Sequence, residues 1–159
     1  MIKFCVEELS FHERDVRLRL PFRFGVATLT SCPQVHVLAK IRLADGKLVE
    51  GCSAEMMVPK WFDKNTALSN EENFEQLRAA LKTTRNAYLA DKKLKTAWQY
   101  FIENYDAVLT TCHAHKINAL AASYGPALID RALMDAVFHA AQVGFYQGMT
   151  SNILDIQLG

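Results

Sequence analysis

The densest cluster of groups able to bind a metal is Cys112-His113-Ala114-His115. One thiolate and two imidazoles could supply three zinc ligands and leave a fourth position for water. No second cluster of such ligands occurs in the chain, and His113 and His115, two residues apart, point away from each other on a helix. The plainer reading is a helix C-terminal turn in which the histidines and Lys116 complement the helix dipole, so no bound metal is expected. A thiol nucleophile needs a histidine within hydrogen-bond reach. The nearest pair, Cys32 and His36, lies about 13 Å apart on an extended chain. Neither a Gly-x-Ser-x-Gly elbow nor a Gly-rich phosphate loop is present. Carboxylates occur singly. Glu55, in Gly51-Cys52-Ser53-Ala54-Glu55-Met56-Met57, is the one placed where a loop leaves a sheet, and its plainer reading is a solvated loop side chain. No catalytic residue is expected in this chain.

Two segments carry binding character instead. Phe22-Arg23-Phe24-Gly25-Val26-Ala27-Thr28-Leu29-Thr30 mixes aromatic, cationic and hydroxyl groups around a glycine hinge. Met56-Met57-Val58-Pro59-Lys60-Trp61-Phe62 crowds large apolar side chains into what reads as a loop. Exposed apolar loops mark binding surfaces or buried interfaces, although packing onto the domain's own helices would account for part of them.

The elements that must hold these segments follow from periodicity. Val16, Leu18 and Leu20 alternate with Arg17 and Arg19, the period-2 pattern of a half-buried strand, and Pro21, lacking an N–H, is expected to end its ladder. Val35, Val37, Ala39, Ile41 and Leu43 share one face of a second strand, with His36, Lys40 and Arg42 on the other and Leu38 as the exception. Asp45-Gly46 supplies a tight antiparallel turn, and residues 48–52 return. These features predict a three-stranded antiparallel meander over residues 2–54. From about residue 70 the period becomes helical. Ser69 or Asn70 ahead of Glu71-Glu72 reads as an N-cap, with Phe74, Leu77, Ala80, Leu81, Ala87 and Tyr88 on one face. A second helix is expected over about 94–110, with Leu94, Ala97, Trp98, Phe101, Ile102, Tyr105 and Leu109. A third should open at Gly125-Pro126 and run to Gly144, with an apolar face (Ile129, Leu133, Ala136, Val137, Ala140) small enough for another element to approach closely. Strands first and helices afterwards give an α+β fold: a three-stranded meander followed by a helical bundle over about 70–144.

Composition agrees with a single folded domain. The 159 residues are 50% hydrophobic and 22% charged, with only 7 Gly and 4 Pro, which excludes bulk disorder. Eighteen basic against 17 acidic residues leave a net charge of +1, with no electrostatic footprint for a nucleic acid or an anionic membrane. No apolar run approaches the ~20 residues of a membrane span. Glu7 and Glu8 fall where a signal peptide keeps an unbroken apolar core. The four cysteines (Cys5, Cys32, Cys52, Cys112) are widely spaced and read as free, mostly buried thiols. A cytoplasmic location is expected. Residues 146–159 are apolar to the end, through Ile153, Leu154, Ile156 and Leu158. Such a segment either folds back on the domain or leads into further structure that covers it.

Taken in order, Leu20-Pro21-Phe22-Arg23-Phe24-Gly25, the strand at Val35-His36-Val37-Leu38-Ala39-Lys40-Ile41, the Asp45-Gly46 turn, Gly51-Cys52-Ser53-Ala54-Glu55 and the helix Ala127-Leu128-Ile129-Asp130-Arg131-Ala132-Leu133-Met134-Asp135-Ala136 resemble the N-terminal capping domain of the enolase superfamily, in its mandelate racemase and muconate lactonizing enzyme branch. The resemblance spans residues 1–145 and rests on the ordered set rather than on one motif. It departs from the family in the ending of the third strand, where most relatives have a shorter Gly-x-Gly-Glu-like sequence, and in the long aromatic helical region over 70–120.

The resemblance implies a bidomain enzyme in which this domain closes over a C-terminal (β/α) barrel. In such enzymes the barrel carries the bases and the Mg²⁺ that stabilises an enolate formed by α-proton abstraction from a carboxylate-bearing substrate. By position, residues 22–30 match the first capping loop and 52–60 the second. This makes Phe22, Arg23, Phe24, Thr28, Ser53, Glu55, Met56, Lys60 and Trp61 the expected substrate-capping residues, acting on specificity and water exclusion. It also implies that residues 146–159 lead toward the barrel, that no cofactor is held by this chain itself, and that the parent enzyme is a racemase, dehydratase or cycloisomerase and a homo-oligomer. The alternative is a self-contained α+β interaction module that grips a partner with the same apolar loops.

Overall fold

The computed structural model describes residues 1–25 and 27–158. Three antiparallel strands, β1 (Phe4–Phe24), β2 (Ala27–Leu43) and β3 (Leu48–Met56), form a sheet in the order β1-β2-β3. Four helices follow: α1 (Asn70–Ala90), α2 (Ala97–Ala114), α3 (Ala119–Ala141) and the short α4 (Phe145–Thr150). The fold is α+β, a meander followed by a helical bundle. Val35, Val37, Ala39 and Ile41 of β2 are buried under the helices, while Leu38 on the opposite face is exposed. Gly46, at φ 87°, supplies the left-handed backbone of the β2–β3 turn.

The first hairpin is longer than its sequence pattern suggests. β3 pairs with β2 only as far as Gln34↔Met56, so residues beyond that point form a two-stranded arm that continues to Phe24↔Ala27. Pro21 does not end β1. The register jumps between Arg17↔Ser31 and Phe22↔Leu29, and residues 18–21 bulge opposite Thr30 alone. A proline is tolerated there because a bulged residue owes the ladder no N–H. The same bulge turns Leu20 into solvent, breaking the alternation that starts at Val16.

Helix boundaries follow local capping. Ser69 and Glu72 form a reciprocal capping box at α1, and Thr96 and Gln99 form one at α2. α2 begins at Ala97 rather than near Leu94 because Lys95 is extended, exchanging backbone hydrogen bonds of 2.9 Å in both directions with Phe4. Leu94 therefore lies outside the helix, and both Leu94 and Ile102 are exposed rather than core. α3 begins seven residues before Pro126, at Ala119, where the Asn118 side chain accepts from the Ala121 N–H at 2.9 Å. Pro126 therefore lies inside the helix. Its neighbour Gly125 is needed for contact with α1, since a Cβ there would sit 2.4 Å from the Ala80 carbonyl oxygen and from the Thr84 hydroxyl.

α3 is the central element, packed against α1, α2 and the sheet. Ala121, Ala122, Leu128, Ile129, Ala132, Leu133, Ala136 and Val137 are all buried. The small face meets β3 at Gly51, where an added Cβ would lie 2.2 Å from the Ala136 nitrogen and 2.3 Å from the Ala132 oxygen. The alanine-rich face is thus taken up by this domain's own sheet. The C-terminal segment also folds back in part. Leu154 is buried, Ile2 donates to the Ile153 carbonyl and Trp98 to the Leu154 carbonyl, each at 3.2 Å, while Leu158 is exposed.

Candidate functional site

The tip of the β1–β2 arm and the segment after β3 converge. Phe24 and Trp61 meet edge to face with ring centroids 5.3 Å apart, and Phe22 packs on Phe24 at 5.6 Å. Beside this cluster lies an open cleft of about 590 Å³ lined by Phe24, Gly25, Ala27, Lys60, Trp61 and Leu120, among others. A smaller recess of about 330 Å³ adjoins it and adds Thr28, Leu29, Pro59 and Asn70. Phe22, Trp61 and Leu120 are each about half exposed. Aromatic walls around an open concavity suit an organic ligand or a second protein surface.

The segment after β3 is held by Lys60. Its backbone is left-handed, at φ 63°. Its N–H donates to the Asn73 side chain at 3.0 Å, and its ammonium donates to the carbonyls of Asn65 and Leu68. Lys60 therefore fixes the loop that presents Trp61. Asn118 adds a second tie, donating to the Phe62 carbonyl at 3.2 Å, and the Phe62 ring packs edge to face on Tyr124. The three-stranded sheet at the base of the arm is secured by Arg78 of α1. Its guanidinium makes a two-pronged contact with Glu13, at 2.9 and 2.7 Å, and reaches Glu71 and Glu75. The hydrogen bonds from Arg78 hold the Glu13 carboxyl below its ordinary range, despite some burial.

The nine expected capping residues divide into two groups. Phe22, Phe24, Thr28, Lys60 and Trp61 lie at or beside the cleft, and Arg23 is exposed next to them, paired with Thr28 across the hairpin. Residues 22–24 and 27–29 are ladder-paired rather than loop, and Thr30 faces the bulge; Val26 lies outside the described residues. Ser53, Glu55 and Met56 remain within β3 and face α3 or the core instead. The Ser53 hydroxyl donates to the Leu128 carbonyl at 2.7 Å, Glu55 pairs with Arg131 at 3.1 Å, and Met56 packs against the core. The distinction comes from β3 running to Met56, beyond the residue 54 at which its pattern fades. Sequence reasoning missed Leu120, Thr66 and Lys64 as cleft residues. None carries a periodic or motif signal, and Leu120 reaches the cleft only because α3 starts before Pro126.

The 127–136 segment has a purely architectural reading residue by residue. Besides Leu128, Arg131 and the two alanines, the Asp135 carboxylate accepts from the Cys52 N–H at 2.8 Å, and His139 makes a 2.9 Å contact with the Glu50 carbonyl. Together they satisfy backbone groups along β3, an edge strand that would otherwise expose them. Cys112 is buried at the end of α2, whereas His113 and His115 are exposed. Among the described residues no group of three or more His, Cys, Asp or Glu side chains is placed to hold a metal. Cys5, Cys32, Cys52 and Cys112 are all free, and only Cys52 is exposed. Among the described residues no helix is long and apolar enough to cross a membrane.

No family model and no curated protein matches the chain. Among solved structures, it is similar to a mandelate racemase/muconate lactonizing protein from Herpetosiphon aurantiacus, with a TM-score of 0.47 and 16% identity over 86% of this chain. It is also similar to a protein named for the mandelate racemase/muconate lactonizing enzymes from Sorangium cellulosum, with a TM-score of 0.41 and 22% identity over 83% of this chain. The chain spans about a third of the length of each, 32% and 30% respectively.

Proposed function

We propose that this chain is the capping portion of an enolase-superfamily enzyme, supplying a lid over an active site built by a (β/α) barrel. One observation carries the reading: the arm tip and the segment after β3, separated in sequence by most of the sheet, meet at Phe24 and Trp61 and leave an open aromatic cleft. The order of parts in the sequence points the same way. In this reading Phe22, Phe24, Thr28 and Trp61 contact the non-reacting part of a carboxylate-bearing substrate and exclude water from it. Arg23 offers a cation to the carboxylate side. Lys60 positions Trp61.

Chemistry in the parent protein would be α-proton abstraction, of the racemase, dehydratase or cycloisomerase kind, with Mg²⁺ stabilising the enolate. The described residues of this chain do not fit that metal, since they form no cluster of ligands for it. Its ligands and the bases belong to the barrel in this account, and no step is assigned to residues here. A cytoplasmic homo-oligomer is part of the same proposal.

The test is the coding sequence downstream of Gly159 together with an exchange assay. A following barrel with alternating strand and helix periods and spaced Lys, Asp and Glu, and Mg²⁺-dependent exchange of substrate α-protons only by the longer protein, would support the proposal. A stop codon directly after Gly159 would overturn it in favour of the interaction module.

A further inference from the structure

We infer that the pocket between α2, α3 and the C-terminal segment is a binding site for a primary ammonium carried on an apolar stem. The pocket has a volume of about 220 Å³ and lies away from the arm. Its walls are Ala97, Trp98 and Phe101 of α2, Met134 of α3, and Leu154 and Ile156 of the C-terminal segment. Among the described residues of this otherwise apolar lining, Asp130 is the only ionisable one. The Tyr88 hydroxyl donates to one of its carboxylate oxygens at 2.8 Å, and no described residue bonds the other.

The charge is uncompensated from every side. α1 presents only Tyr88, and α2 presents the Trp98 and Phe101 rings. The C-terminal segment presents Leu154 and Ile156. The nearest cation along α3, Arg131, pairs with Glu55 on the sheet side, and Lys95 is held by Asp91 and Glu103. Asp130 is half-buried, and a carboxylate among rings and alkyl chains with no cationic partner is costly to ionise; desolvation pushes it up to about 7, against a smaller opposing effect of the Tyr88 hydrogen bond. An ammonium entering the pocket would meet the free carboxylate oxygen at its end. Its stem would lie along Trp98 and Phe101, whose π faces also attract cations. A neutral alcohol of the same shape can donate one hydrogen bond to that oxygen but brings no charge to offset it, and an anion is repelled once Asp130 is ionised.

This site is independent of the lid proposal and is tested on the 159-residue chain by isothermal titration calorimetry. The probes are benzylammonium, its neutral counterpart benzyl alcohol, and benzoate. A second cationic probe, a short peptide carrying one lysine between apolar residues, distinguishes a free amine from a protein side chain as the source. At about pH 8 benzylammonium or the lysine peptide should bind with one-to-one stoichiometry, at least about ten-fold more tightly than benzyl alcohol, with no binding of benzoate. Near pH 5, where Asp130 is protonated, the preference for the cation should vanish. Asp130→Asn, which keeps the shape and can still accept from Tyr88, should abolish the preference at both pH values while leaving benzyl alcohol affinity within about two-fold. Equal affinities for benzylammonium and benzyl alcohol in the unaltered chain at about pH 8, or a cation preference that survives in Asp130→Asn, would overturn the inference.

Discussion

The contact between β3 and α3 and the contact between the arm tip and Trp61 are built in opposite ways. At Gly51 two backbones touch, with Ala132 and Ala136 on the helix side and no side chain between them. Asp135 and His139 complete the hydrogen bonding of the edge strand there. At the arm tip, by contrast, two-stranded ribbon and loop meet through the Phe24 and Trp61 rings, with Phe22 and Trp61 half exposed beside an open cleft. The first contact has one solution and tolerates no added atom. The second can repack around whatever fills it. In the proposed lid role, the first would serve as a rigid platform and the second as an adaptable rim.

The comparison predicts graded consequences. Gly51→Ala should be the most severe change, because its Cβ would collide with helix backbone that cannot move aside without displacing α3. A loss of about 3 kcal/mol or more is expected, read as failure to fold or a large fall in the urea midpoint. A midpoint near that of the unaltered chain would show that the β3–α3 contact is looser than described.

On the other flank of α3, Asp130 should make stability depend on pH. Its folded pKa, about 7, lies above its ordinary value of 3.8. No penalty exists below about pH 4; it accumulates as pH rises through about 7, where the folded state must give up its proton. Asp130→Asn should therefore be stabilising by a few kcal/mol at about pH 8 and nearly neutral at about pH 4. Equal effects at both pH values in denaturant titrations would contradict this assignment.

Smaller again is Arg78→Ala, expected to cost about 1–2 kcal/mol, because the guanidinium is partly shielded and its two-pronged contact with Glu13 joins the base of the arm to α1. Acid should erode this contribution as Glu13, held below its ordinary range, becomes protonated. The stability difference between the two proteins should thus be present above about pH 5 and fade below about pH 4. A difference independent of pH would assign Arg78 to packing alone. Trp61→Ala should cost least, about 1 kcal/mol or below, because half its surface is already in water. A loss as large as that at Gly51 would remove the contrast between platform and rim.

The platform was legible in the sequence where side-chain period and burial agree. The β2 alternation, the Gly46 turn, the α1 cap and the alanine-rich face of α3 all have local causes. What escaped depends on contacts distant in sequence. Phe4 draws Lys95 into an extended conformation and so delays α2, and Asn118 starts α3 well before the conspicuous Gly125-Pro126 pair. The arm is longer than its pattern because bulging at residues 18–21 absorbs Pro21. Phe22, Phe24 and Trp61 were identifiable from composition as large rings in punctuated segments. Ser53, Glu55 and Met56 belong to the second capping loop only by the positional resemblance, and no local signal marks β3 as reaching Met56. Leu120 and Asp130 had no distinguishing signal at all; their roles arise from what α1, α2 and the C-terminal segment place opposite them.

The central claim, that the arm and the segment after β3 form a lid serving chemistry housed elsewhere, is tested most directly by proton NMR of α-proton exchange in deuterated, Mg²⁺-containing buffer. A panel of carboxylate substrates would be compared for the 159-residue chain, for the longer protein that joins it to a barrel, and for that protein with Trp61→Ala. The account predicts no exchange by the chain by itself and exchange by the joined protein. It also predicts that Trp61→Ala shifts relative kcat/KM among substrates by about ten-fold, with the fold retained. Mg²⁺-dependent exchange by the 159-residue chain alone, or a joined protein whose substrate preferences ignore Trp61, would contradict it.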